Sequence, residues 1–90
     1  MKLKTRFSDK QVKAWMKERD EASKSYDVKK FRRFYAKWLA EGMYAYELPK
    51  DDRIIEVMMR KMVYHIKSST EEQRREAKEW LQAHGSTTNM

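Results

Sequence analysis

Apolar residues along this chain recur at three- and four-residue steps and nowhere alternate, so the 3.6-residue period of a helix fits and the two-residue period of a strand does not. The first stretch opens at Ser8, with Gln11 three positions on in the spacing of a reciprocal capping box. Val12, Trp15, Met16, Ala22 and Tyr26 then share one face, while Lys10, Lys13, Lys17, Asp20, Glu21 and Lys24 lie off it. Asp27 is the next N-cap, and Val28, Phe31, Phe34, Tyr35, Trp38, Leu39 and Met43 mark a second inward face before Gly42 loosens the helix end. Tyr44 to Pro49 reads as a connector, because proline disfavours helix at Leu48 and can open the helix that follows.

From Lys50 to Lys67 the pattern is apolar around much of the circumference, with Ile54, Ile55, Val57, Met58, Met59, Met62, Val63, Tyr64 and Ile66 interrupted by a strip of Glu56, Arg60 and Lys67. A helix of that kind belongs at the centre of a core or is shared with a second subunit. Ser68, Ser69 and Thr70 precede Glu71, Glu72 and Gln73 in overlapping capping-box registers; Ala77, Trp80 and Leu81 then form one narrow stripe before Gly85. The expectation is an all-α, compact bundle of four short helices at about 8–25, 27–43, 50–67 and 70–84, a single helical domain over 1–85 with a disordered tail at 86–90.

Composition sharpens this picture in three ways. Ninety residues supply one core, and with 39% charged residues and a mean hydropathy of -1.06 the apolar side chains must be confined to narrow faces. An aromatic fraction of 12%, including three tryptophans, argues for order, since such side chains bury enough area to offset chain ordering. The absence of cysteine excludes disulfides and thiolate chemistry and fits a reducing compartment. The cations at the N-terminus are followed by no apolar stretch, and the longest apolar cluster, Ile54 to Met59, is broken by Glu56, so neither a signal peptide nor a membrane span is expected and the cytoplasm is.

Charge changes the picture most. The net charge is +7, and residues 1–46 carry all of it, with 13 Lys/Arg against 6 Asp/Glu, whereas residues 47–90 hold 8 against 8. Such a field attracts polyanions or acidic protein surfaces; it is also what a merely solvated surface shows. The sharpest candidate is the outer arc of the second helix, where Lys29, Arg33 and Lys37 recur at four-residue steps, Lys30 and Arg32 flank them, and residues 28–40 contain no acid. Lys2, Lys4 and Arg6 could assist as an arm. The short junction at Ser25, Tyr26 and Asp27 permits a helix-turn-helix, but it lacks glycine and the reading face lacks Asn and Gln. Phe31, Phe34, Tyr35 and Trp38 fall on the inward face and are read as core rather than as a base-stacking platform.

No other constellation carries chemistry. His65 and His84 have no carboxylate at ligand spacing, so no metal or cofactor is expected; Ser8, Ser69 and Thr70 serve as caps, and two glycines build no phosphate loop. The basic face of the second helix points to a small basic, non-enzymatic binding protein, nucleic-acid-associated or regulatory, that engages a polyanion such as DNA or RNA through Lys29, Lys30, Arg32, Arg33 and Lys37. The rival expectation is a module docking on an acidic surface of a larger protein, with Tyr44 and Tyr46 of the connector as exposed anchors. A homodimer through the Met-rich third helix is a further expectation.

Overall fold

The computed structural model describes residues 7–89, and among them the chain forms four helices and no strand: α1 (Asp9–Ser25), α2 (Val28–Ala40), α3 (Asp52–His65) and α4 (Glu71–Ala83). Each begins where a short polar side chain turns back on the backbone. Ser8 and Gln11 form the reciprocal capping box at α1, and Asp27 accepts from the amides of Lys29 and Lys30 at α2. At α4 the Thr70/Gln73 register is the one used. Ser69, from the competing register, is buried, and its hydroxyl donates to the Val63 carbonyl at 2.6 Å.

The ends of α2 and α3 depart from expectation, for backbone reasons, while α4 stops at Gly85 as expected. α2 stops at Ala40 rather than near residue 43, because Gly42 takes φ 93° and a Schellman pair closes the end: Gly42 N–H to the Leu39 carbonyl at 3.0 Å and Met43 N–H to the Trp38 carbonyl at 2.8 Å. α4 ends the same way at Gly85, φ 73°, with Ser86 N–H reaching the Leu81 carbonyl. α3 starts at Asp52, capped by Asp51, three residues after Pro49 rather than at Lys50. It stops at His65, where the extended Ile66 turns its side chain into the interior.

α3 packs against each of the other three helices, and α4 rests on α3 alone. Ala22, Phe31, Phe34, Trp38, Ile55 and Met59 make the central cluster, and Val63, Ile66, Ala77 and Leu81 are also buried. Full burial of a side chain such as Phe31 or Ile55 contributes about 1.5–3 kcal/mol. Ile55, Met59 and Val63 of α3 are buried, Val57, Met58, Met62 and Tyr64 are partly buried, and Ile54 is 45% exposed. Met16, expected on the inward face of α1, is 42% exposed, while Ser23 is fully buried with its hydroxyl 3.7 Å from the Met62 sulfur. Beyond α4 the Thr88 carbonyl lies 2.6 Å from Nε2 of His65, the last residue of α3. No helix among the described residues is long and apolar enough to cross a membrane.

Candidate functional site

The five candidate cations all lie on α2, but the fold distributes them differently from a helical projection. Lys29 and Lys30 occupy the first turn, locked in place through their amides by Asp27, and Arg33 follows one turn on. All three are exposed, and none forms an ion pair among the described residues.

Arg32 and Lys37 are occupied. Arg32 points toward the start of α3, where its Nη2 donates to Asp52 at 2.8 Å and to the Lys50 carbonyl at 3.1 Å. Lys37 donates to both oxygens of Glu18 on α1, at 3.0 and 3.1 Å. The arc that seemed free of acid within its own helix is therefore neutralised in part by carboxylates 19 and 20 residues away in sequence. Lys30, Arg33 and Lys37 share a cleft of about 310 Å³ with Glu18 and Glu21, while Arg32 lines a different one with Tyr35 and Leu48.

Glu18 is the residue that sequence reasoning missed. Besides Lys37 it accepts from the indole Nε1 of Trp38 at 2.9 Å, and these two donors, the indole first, hold its carboxyl below the ordinary 4.5. Trp38 is 4% exposed, so its N–H must find an acceptor inside the fold. That rule is legible from a buried tryptophan; the identity of the acceptor is not, because it comes from another helix.

The connector between α2 and α3 is pinned by aromatic contacts. Tyr44 stacks on Tyr35 with centroids 4.0 Å apart, and its hydroxyl accepts from Trp15 Nε1 at 2.9 Å. Burial pushes the hydroxyls of both Tyr44 and Tyr35 above the usual tyrosine value. The Tyr35 hydroxyl donates to the Tyr46 carbonyl. Of the two tyrosines expected as exposed anchors, Tyr44 is tied into the structure and only Tyr46, at 81% exposed, projects. Phe31 and Phe34 are buried, as their position on the inward face implies.

The methionines of α3 fill space: Met59 is buried and Met58 and Met62 pack against the central cluster. His84 stacks on Trp80 at 3.8 Å with its Nδ1 against the Trp80 carbonyl. Among the described residues no group of three or more His, Cys, Asp or Glu is arranged to hold a metal ion. Lys2, Lys4 and Arg6 lie outside the described residues. No protein-family model matches this chain, and no curated protein or solved structure shows significant similarity to it.

Proposed function

We propose that this chain is a small cytoplasmic binding protein, not an enzyme, that engages nucleic acid through the phosphate-facing cations Lys29, Lys30 and Arg33. The supporting observation is that these three, alone among the five candidates on α2, stand exposed and without a carboxylate partner among the described residues. Arg32 and Lys37 contribute less, because a phosphate must first displace Asp52 or Glu18. Bidentate adenine readout and base stacking play little part: the exposed side of α2 offers no Asn or Gln, and Phe31, Phe34 and Trp38 are buried.

The three free cations set a quantitative expectation. Neutralising about three phosphates gives a log–log salt slope near −2.7 for duplex DNA, against about −4.5 if all five α2 cations engaged. Fluorescence anisotropy with a labelled duplex and a labelled single strand across a salt series measures it. The double variant Lys29→Glu/Arg33→Glu loses most of the affinity; unchanged binding in that variant removes α2 from consideration.

A second reading, docking on an acidic protein surface, is favoured by one observation: Tyr46 projects beside a partly apolar groove lined by Leu39 and Leu48. A nuclease-treated pull-down separates the two, since a stoichiometric protein complex that survives nuclease supports docking.

A further inference from the structure

The half of the chain without net charge is not neutral everywhere. The helical step places Arg74, Arg75 and Lys78 on one side of α4 and Glu72 and Glu76 on the other, with the buried Ala77 and Leu81 between. The cationic side turns toward Tyr64 of α3, and these four residues line a cleft of about 370 Å³ together with Glu71. Three cations against one carboxylate leave that lining at +2. The α1/α2 cleft, of similar size, sets two carboxylates against its three cations.

The three cations are held differently. Arg74 is partly buried, and its Nη2 donates to the carbonyls of Ile66 and Lys67 at 3.2 and 3.3 Å, which fixes the guanidinium in place. Lys78 is exposed and forms no ion pair among the described residues. Arg75 meets Glu79 at 4.0 Å with both side chains more than half exposed, a weak pair that yields to a doubly charged acceptor. Arg60, by contrast, is closed between the rings of Tyr26 and Trp80, 3.5 and 4.6 Å from their centroids, with its Nε shut away from solvent, and it takes no part.

We propose that the α3/α4 cleft is a phosphate site, separate from the α2 cations, in which Arg74, Arg75 and Lys78 receive one phosphate dianion. A phosphate monoester carries roughly −1.5 to −2 near neutral pH, which a lining of +2 balances and a carboxylate does not. Arginine forks take two phosphate oxygens at once, and the lysine adds a mobile point charge. Because Arg74 is already immobilised by its two carbonyls, binding orders fewer side chains than it would among free cations. α4 rests on α3 alone, so the α2 cations stand on a helix that it does not touch. Inorganic phosphate or a small phosphate ester supplies this chemistry, and so does the terminal phosphate of a nucleic-acid strand.

The test is a titration of the ¹⁵N-labelled full chain with sodium phosphate at neutral pH and constant ionic strength, followed through the arginine Nε–H cross-peaks. Phosphate shifts Arg74 and Arg75 along one saturating curve while Arg19, Arg32 and Arg53, held by carboxylates, stay still. Acetate saturates only at a higher concentration, and chloride gives no saturating curve. Arg75→Gln/Lys78→Gln alters two exposed positions and weakens phosphate binding, read at Arg74, by about tenfold or more. Glu71→Gln removes the carboxylate of the lining and tightens binding. A short single strand with a 5′ phosphate, run beside the same strand without one, separates the sources: tighter binding than inorganic phosphate marks a strand end, equal binding a small phosphate. Linear drifts shared by all arginines, an equal response to acetate, or wild-type affinity in Arg75→Gln/Lys78→Gln overturn the proposal. Lys29→Glu/Arg33→Glu retains the phosphate response, so this site and the nucleic-acid reading fail independently; loss of the response in that variant overturns the site on α4.

Discussion

Replacing Glu18 tests both the stability and the electrostatic logic of this fold. In Glu18→Ala the buried Trp38 indole loses its acceptor and Lys37 loses its partner. An unsatisfied buried donor costs about 1–3 kcal/mol and an exposed ion pair contributes about 0–1 kcal/mol. Because the Glu18 side chain is 35% exposed, truncation opens a path for water to the indole, which places the expected loss in the lower part of that range, about 1–2 kcal/mol. For a domain of this size each kcal/mol lowers Tm by about 4–8 °C. Glu18→Gln keeps an amide oxygen for Trp38 and surrenders only the ion pair, so its loss stays under about 1 kcal/mol. Urea unfolding followed by far-ultraviolet circular dichroism reads both, avoiding indole fluorescence, which the substitutions perturb directly. If the alanine variant is no less stable than the glutamine variant, the hydrogen bond to Trp38 carries no stability and the reasoning fails.

Acid provides an independent check on the same group. The folded carboxyl titrates below its ordinary 4.5, so its stabilising contribution is complete above that value and is lost as the pH falls through the lowered folded value. The stability gap between wild type and Glu18→Gln therefore stays flat above pH 4.5 and narrows below it. The same variant releases Lys37 to the solvent, and on the nucleic-acid reading its salt slope steepens by about 0.9, the increment for one phosphate.

Two further substitutions test local claims. Thr70→Ala removes the capping box at α4 and lowers stability by about 1 kcal/mol, with faster amide hydrogen exchange confined to the first turn of α4; a loss spread over all four helices would contradict a local cap. Ser23→Ala deletes a buried hydroxyl whose contact is a methionine sulfur at 3.7 Å, and the better helix propensity of alanine offsets that weak bond, so stability by chemical denaturation changes by less than about 0.5 kcal/mol. A substantially larger loss would show that the hydroxyl matters more than its geometry implies.

The helix count, the N-caps of α1 and α2 and the inward faces of α2 and α4 were readable because each depends on residues three or four apart. Ser8 with Gln11, Asp27 with the next two amides, and Thr70 with Gln73 close hydrogen bonds within a single turn, and Phe31, Phe34 and Trp38 share a face whatever lies beyond it. The choice between overlapping caps at Ser69 and Thr70 was not readable, because it turned on Ser69 reaching the Val63 carbonyl. Nor was the outward turn of Met16, which only the placement of α1 against α2 and α3 decides.

By itself, the amino-acid order determined four amphipathic helices, the starts of α1 and α2, and a basic N-terminal half, since propensity, capping and side-chain periodicity all act over a turn or less. Tertiary structure alone decided which cations remain free. Glu18 and Asp52 reach Lys37 and Arg32 across helix interfaces, and the Arg60 guanidinium acquires its two aromatic faces from α1 and α4. Coulombic and stacking contacts depend on distances of a few ångströms in space, and a helix projection carries no information about its neighbours.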